Sequence, residues 1–259
     1  MKLLIRISYI GTAYCGYQVQ PNGVTVQQRL NEAAEALFGH PCDIVGCSRT
    51  DSGVHANEFC ATVSGKGESS LETRIPIERI ALAMTAHLPS DICVFDAQWV
   101  SEEFHPRYDV REKEYIYRIY NRAVPSPFEE NRSCHVPKPI DANGYAEMQR
   151  AAQYFIGKHD FTAYMAQGSK IVDAVRTVTL SQIEREGDLI IYRVRADGFL
   201  YNMVRILAGT LLDVGQGKLS PEDIPKITEG RDRQAAGITM PPHGLYLNRV
   251  IYPEERLSL

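Results

Sequence analysis

The order of predicted strands and helices restricts the fold of this chain most, because the same β-α-β-β-α-β order occurs twice. Apolar periodicity predicts, in the first part, strands at 3–9, 43–47, 57–64 and 92–99 and helices at 26–38 and 76–88. The second part has strands at 111–120, 176–185, 189–196 and 246–252 and helices at about 142–156 and 199–214, with a proline-rich excursion over 124–139. Each half has the order of a ferredoxin-like motif. We therefore expect an α+β fold of two ferredoxin-like units, 1–102 and 103–259. Their antiparallel or mixed sheets would join into one larger sheet, with helices on one side and a cleft between the units.

The first helix has the clearest predicted ends. Thr25 precedes the apolar periodicity and Gln28 follows three residues later, which is a capping-box pattern. Gly39 follows the last periodic residue and predicts the helix end.

Charge is distributed unevenly along the 259 residues. The net charge of −4 argues mildly against a general nucleic-acid binder. Residues 1–102 carry 7 Lys and Arg against 11 Asp and Glu, whereas residues 103–259 carry 21 of each and hold 15 of the 20 arginines. A local basic surface is therefore compatible with an acidic whole.

Cysteine usage and hydropathy bear on location. The six cysteines have no paired spacing, which favours reduced thiols in a cytoplasm. No run approaches the roughly 20 apolar residues of a membrane span, so we predict a cytoplasmic protein that does not contact membrane.

A polar loop over residues 46–56 lies between two predicted strands. It brings together the carboxylate of Asp51, the guanidinium of Arg49, hydroxyl groups and a glycine. Catalytic residues concentrate on loops held by a rigid scaffold. A hairpin turn in which Asp51 caps its own backbone is equally compatible with these residues.

Other kinds of site fit the residues poorly. The cysteines and histidines between residues 40 and 60 lack C-x₂-C spacing, and Cys47 and Cys60 fall in or beside strands, where thiols pack as small hydrophobes. A triad of Asp51, Ser52 and His55 would need neighbours in one loop to face each other, and no nucleophile elbow is present. The glycines at 11, 16 and 23 form no dinucleotide or P-loop fingerprint. We predict neither a metal nor a cofactor.

Arg205 stands in an apolar helix, where a charged side chain is rarely buried without a partner. A carboxylate that must stay ionised in a desolvated pocket is best paired with a guanidinium, which keeps its proton and binds with two parallel hydrogen bonds. A structural salt bridge or a surface arginine would explain the position of Arg205 in this helix equally well.

The loop and this helix together carry a resemblance to a known family. Residues 49–56 read R-T-D-S-G-V-H-A, which resembles the R-T-D-A-G-V-H-A signature of the tRNA pseudouridine synthase A family. Further segments match in the family's order: T-V-Q at 25–27, L-P-S-D-I at 88–92, F-H-P-R at 104–107, K-E-Y-I-Y at 113–117, H-D-F at 159–161, N-M-V-R at 202–205, Gly209 with V-G at 214–215, and G-L-Y-L at 244–247.

The resemblance implies an isomerase that detaches a uridine base in tRNA, turns it and rejoins it through carbon 5. Asp51 would be the nucleophile, attacking either the sugar or the base, and Arg205 its ion-pair partner. Tyr115 would stack on the target base and help to move the carbon-5 proton, and Leu245 would pack against that base. The family implies action at positions 38, 39 and 40 of the anticodon stem-loop by a homodimer without metal or cofactor.

The expected RNA contacts follow from this resemblance. A base in a stem must be flipped out to be reached, and stacking on an aromatic ring returns about 1–3 kcal/mol. Tyr115 shares its strand with Tyr117 and Tyr120, and at least one of the three must fill core. The predicted substrate-binding residues are Arg49, Arg107 and Arg111 on phosphates, Gln18 in the loop after the first strand, and His55 beside the nucleophile, with Arg49 also a candidate to fill the space of the flipped nucleotide.

Three residues depart from the family pattern. Ile10 and Tyr17 replace the usual Asp and Trp in the loop after the first strand, and Ser52 replaces Ala beside the nucleophile. They put in question which tRNAs and uridines are accepted.

Two other functions compete with the isomerase. A non-catalytic RNA-binding or tRNA-folding protein would have no need of a carboxylate that repels phosphate. An unrelated aspartate-nucleophile hydrolase would need a general acid, and no second carboxylate presents itself in the sequence.

Overall fold

The computed structural model describes residues 1–168 and 171–258, which form an α+β structure, as predicted. The strands are β1 (Lys2–Tyr9), β2 (Cys42–Gly46), β3 (His55–Gly65), β4 (Ile92–Val100), β5 (Glu112–Tyr120), β6 (Cys134–His135), β7 (Gly157–Asp160), β8 (Val175–Glu186), β9 (Leu189–Ala196) and β10 (Leu245–Ile251). The α-helices are α1 (Val26–Phe38), α2 (Ile77–Thr85), α3 (Ala142–Gln153), α4 (Met203–Gly215), α5 (Asp223–Gly230) and α6 (Glu254–Leu257). Within these described ranges, no helix has the length and apolarity to cross a membrane.

The chain divides into two compact units. The first comprises Met1–Glu112 with Tyr246–Leu259, and the second Lys113–Leu245. This division differs from the predicted boundary after residue 102, because β10 returns to the first unit. There β10 runs parallel to β3, with Tyr246 opposite His55. Such a long-range pairing is not visible in the local pattern that assigned this strand to the second half.

The first unit contains the predicted ferredoxin-like motif. Its strands lie in the order β4-β1-β3-β2, and each neighbouring pair is antiparallel. Strand β1 is the centre of the core, with Leu3, Leu4, Ile5 and Ile7 fully buried. The β2–β3 connection holds Asp51, so the sheet positions the candidate loop.

Helix α1 has the ends that the sequence predicts. The hydroxyl oxygen of Thr25 accepts the Gln28 N–H at 3.2 Å. Gly39 adopts a left-handed conformation with φ of 77° and donates its N–H to Glu35 O, which closes the last turn.

The sheet of the second unit has the order β5-β9-β8-β7, with each pair antiparallel, and β6 is parallel to β5. The order β5-β9-β8 is the one the repeated motif predicts, and β7 extends it. The predicted β8–β9 hairpin is confirmed, and Gly187 at its tip has φ of 60°, which favours glycine.

Two features of the second unit differ from expectation. The predicted helix over 199–214 begins only at Met203, because Asn202 adopts a left-handed conformation with φ of 59° that cannot continue a helix. Strands β6 and β7 and helix α5 were not predicted; all three are short, and α5 contains Pro225.

Candidate active site

Asp51 lies in a tight turn that the polypeptide on both sides holds in place. The Val54 N–H donates to Asp51 O at 3.2 Å, and Gly53 has φ of 78°, where a residue without Cβ is favoured. The preceding Thr50 is buried, and its hydroxyl lies 2.7 Å from the hydroxyl of Tyr9 at the end of β1. The Asp51 side chain is half-buried. The turn therefore presents one carboxylate from a fixed backbone.

The loop after β1 supports this turn from the other side. Tyr17 N–H donates to Thr50 O at 3.1 Å. The hydroxyl of Ser52, the residue that departs from the family signature, donates to Tyr14 O at 3.1 Å. Ser52 thus adds a tether where alanine would have none.

Two glycines allow the two loops to approach. A Cβ on Gly11 would lie 2.0 Å from Val54 O, and a Cβ on Gly16 would lie 2.7 Å from Thr50 O. Gly16 also has φ of 82°. Neither glycine was predicted as a site residue; the richness of this loop in glycine was the available signal.

His55, which was predicted to bind substrate, lies in the interior of the first unit. Its ring is completely buried and stacks on Tyr246 of β10 at a centroid distance of 4.5 Å. Its Nδ1 accepts the Gly11 N–H at 2.9 Å. His55 has no exposed surface in this structure and links the turn to the loop after β1, while its predicted contact with substrate stays a prediction.

These contacts argue against the two other kinds of site considered for this loop, a catalytic triad and a metal site. The Ser52 hydroxyl and His55 Nδ1 are both engaged by backbone groups of the loop after β1, so they do not form a nucleophile–base pair. Cys47 and Cys60 are fully buried, and burial raises the pKa of the Cys60 thiol well above its usual range, which keeps it protonated. In the described part of the chain, no group of three or more His, Cys, Asp or Glu is placed to hold a metal ion.

We expect Gly11→Ala to lower both stability and activity. The new methyl group must displace the backbone of Val54 in the turn that carries Asp51, so the free energy of unfolding should fall by about 2 kcal/mol or more. Urea denaturation measures this loss. The control is Gly230→Ala, where no atom lies within 4 Å of the new Cβ, and which should be neutral or slightly stabilising. Equal stability of the two variants would contradict the close approach of the loops.

Three of the predicted RNA-contacting residues of the first unit line one cavity of about 200 Å³. These are Gln18, Arg49 and Arg107, and all three are exposed. Arg111 is exposed as well but does not line this cavity; its N–H donates to Ile251 O at 2.9 Å.

In the second unit, Arg205 has a fixed orientation at the start of α4. Its Nε donates to Met240 O at 2.6 Å and its Nη1 to Asn202 Oδ1 at 2.7 Å. The left-handed conformation of Asn202 places this amide at the end of the helix. The guanidinium is half-buried and oriented by two hydrogen bonds, so Arg205 is not a surface arginine that extends freely into solvent.

Tyr115 and Tyr117 have different environments on β5. Tyr117 is fully buried, and its hydroxyl donates to Pro241 O at 2.7 Å, so Tyr117 is a core residue. Tyr115 is 8% exposed and meets the edge of Phe199 at a centroid distance of 5.0 Å. Leu245, at the first position of β10, is 7% exposed.

The strand position of Tyr115 is fixed by an ion-pair cluster that was not predicted. The neighbouring Glu114 is 4% exposed, and its carboxylate binds Arg193 at 3.1 Å and Arg195 at 2.6 Å, both on β9. A buried carboxylate with two guanidinium partners holds β5 in register with β9.

Comparison with known proteins identifies the family of the chain. The family model described as tRNA pseudouridine synthase matches residues 5–109 and 151–253. The chain is 43% identical over 251 residues to tRNA pseudouridine synthase A 2 of Clostridium perfringens, covering 97% of this chain and 99% of that protein. It is 43% identical over 253 residues to tRNA pseudouridine synthase A of Acetivibrio thermocellus, with the same coverage. A solved Cbf5–Nop10–Gar1 complex matches 94% of this chain and 57% of that chain with 11% identity and a TM-score of 0.34, too low to support an argument. At this identity and coverage, the chain belongs to the tRNA pseudouridine synthase family.

Proposed function

We propose that this protein isomerises uridine to pseudouridine in tRNA. The observation that carries the proposal is the Asp51 turn: in a chain of this family, the signature carboxylate stands on a backbone held by Tyr9, Gly11, Tyr14 and Tyr17. Such rigidity suits a nucleophile that must meet a flipped nucleotide in one geometry.

The reaction balances within the substrate. The bond between N1 of the base and C1′ of the ribose breaks, the base turns, and a bond forms between C5 and C1′. C5 loses its proton and N1 gains one, so no oxidant or reductant is needed. The Asp51 carboxylate serves as the nucleophile, either at C1′ of the sugar or at the base, and the bond it forms breaks again before product leaves, which restores the free carboxylate.

Arg205 is proposed as the counter-charge that keeps this carboxylate ionised. Its bonds to Met240 and Asn202 support the proposal, because they hold the guanidinium in one orientation. A guanidinium held in this way pairs with a carboxylate at a smaller entropy cost than a mobile side chain.

Tyr115 and Leu245 are proposed to bind the target base. Phe199 and the Glu114 cluster support this role for Tyr115, since both fix the position of the ring. Stacking on a fixed ring offsets part of the cost of flipping the base. Tyr115 is also proposed to help remove the carbon-5 proton.

The finer features of the proposal concern the substrate and the assembly. We infer that the target is the anticodon stem-loop at positions 38, 39 and 40, that Arg49, Arg107, Arg111 and Gln18 contact RNA, and that the enzyme is a cytoplasmic homodimer without cofactor. The three exposed residues lining one cavity support the RNA contacts, because exposed guanidiniums bind phosphates.

The test is release of tritium from carbon 5 of uridine in a tRNA transcript. We expect release from a transcript with uridines at positions 38 to 40 and none from a matched transcript with cytidines there. Affinity should fall steeply with salt, because phosphate contacts release counterions. Salt-dependent binding without any release would support the non-catalytic alternative instead.

A further inference from the structure

Tyr108 is an exposed aromatic residue beside the cavity that Gln18, Arg49 and Arg107 line, and the proposed reaction gives it no role. Its side chain is 75% exposed, although most tyrosine rings gain stability by burial. Tyr108 lines the same cavity. An exposed aromatic ring next to two arginines therefore indicates a surface that can bind a ligand.

The ring is held as a platform by the turn that carries it. His105 covers one side of the ring, with a centroid distance of 4.2 Å and an interplanar angle of 32°. The Arg107 guanidinium carbon lies 5.9 Å from the ring centroid. Because the side chain is still 75% exposed, the ring keeps surface on which a further planar group can pack.

The turn itself is anchored to the body of the first unit. His105 N–H donates to Asp109 Oδ2 at 2.8 Å, and Asp109 N–H donates back to His105 O at 3.1 Å. Asp109 pairs with Arg256, and Tyr252 donates its hydroxyl to Pro106 O at 2.7 Å. The exposed ring is thus pre-organised, which reduces the ordering cost of binding.

The chemistry of the cavity selects the ligand. Its lining residues include the guanidiniums of Arg49 and Arg107 and the amide of Gln18 but, among the described residues, no Asp or Glu. Tyr17 also lines the cavity, and its buried hydroxyl has no hydrogen-bond partner among the described residues. An aromatic face beside two guanidiniums and a side-chain amide matches the base, phosphate and oxygen acceptors of a nucleotide.

We propose that Tyr108 stacks on an unpaired base of the substrate tRNA loop, with a neighbouring phosphate at Arg49 or Arg107. This inference rests on the proposed function for the identity of the RNA. Tyr108 is then a substrate-positioning residue, separate from the residues that bind the uridine to be isomerised.

The test is a double-mutant cycle in tRNA affinity between Tyr108 and single abasic substitutions in the anticodon loop. Tyr108→Ala should weaken binding of intact tRNA about tenfold, and Tyr108→Phe should bind nearly as the unaltered protein, because it keeps the ring. An abasic substitution at one loop position should weaken the binding of tRNA to the unaltered protein by a similar factor. The same substitution should not change the binding of tRNA to Tyr108→Ala. The control is Phe95→Ala, an exposed aromatic on β4 outside the cavity, which should show no such coupling.

Additive losses at every loop position, or no loss for Tyr108→Ala, would overturn the stacking proposal. Because the cycle measures binding, its outcome does not depend on catalysis: a coupled cycle with no tritium release contradicts the proposed function alone. Binding of an acidic peptide, but not of an anticodon-loop oligonucleotide, to the protein without tRNA would also overturn the proposal. It would indicate a protein ligand at this cavity.

Discussion

Asp51→Ala is expected to abolish tritium release from tRNA, with a loss of about 10⁴-fold or more in kcat, while tRNA binding survives. Loss of a nucleophile has effects of this size because the remaining binding groups cannot replace the covalent step. Affinity should be unchanged or slightly higher, since the variant lacks a carboxylate that repels phosphate. Asp51→Asn should behave in the same way, because the amide keeps the shape of the side chain but is neutral. Release assays and filter binding on the same preparations separate the two effects.

A second aspartate of the first unit provides the matched control. Asp43 is exposed and accepts the Gly67 N–H at 2.8 Å. It has no proposed role in the reaction. Asp43→Asn should keep activity within about threefold of the unaltered protein, because an exposed substitution outside the site changes little. Undiminished release by Asp51→Ala would remove Asp51 from the role of nucleophile.

Elements that local interactions determine were predictable. Helix α1 and the β8–β9 hairpin end within one residue of their predicted limits. Their ends depend on a threonine cap, a left-handed Gly39 and a turn at Gly187, all of which act within a few residues. Such signals are contained in a short window of sequence.

The start of α4 was not predictable from periodicity. Apolar residues continue from Phe199 through the turn into the helix, so the pattern conceals the left-handed Asn202 that separates them. That turn is part of the candidate site, because Phe199 packs on Tyr115 and Asn202 orients Arg205. The sequence pattern predicted Arg205 as a candidate site residue but did not predict the turn at Asn202 that orients its guanidinium.

The position of the Asp51 turn between two strands was predictable, but the contacts that hold it were not. Tyr9, Gly11 and Tyr17 contact residues more than thirty positions later, so their function depends on the tertiary fold. His55 illustrates the consequence: its place beside Asp51 in the sequence suggests an RNA contact, whereas the parallel pairing of β3 with β10 buries its ring against Tyr246. Proximity in sequence does not decide which way a side chain points.

Arg205→Lys is expected to cost far more activity than stability. An ammonium keeps the charge but cannot reproduce the planar fork that binds Met240 O and Asn202 Oδ1 together. Loss of these two hydrogen bonds should lower the free energy of unfolding by about 1–2 kcal/mol. Activity should fall by about 10²-fold, because the proposed counter-charge to Asp51 would lose its fixed orientation. Tritium release and urea denaturation of the same variant give the two numbers.

The matched control is Arg233→Lys in the same unit. Arg233 also uses its guanidinium to bind one backbone and one side-chain oxygen, donating to Gly237 O at 2.9 Å and to the Thr239 hydroxyl at 3.1 Å, and it has no proposed catalytic role. The stability loss should therefore be similar, and the activity at a temperature where both proteins are folded should stay within about threefold. If Arg205→Lys lost activity only to the extent that Arg233→Lys does, Arg205 would be a structural arginine and Asp51 would need a different counter-charge. A large activity loss at Arg205 alone is what distinguishes a guanidinium that serves the reaction from one that serves the fold.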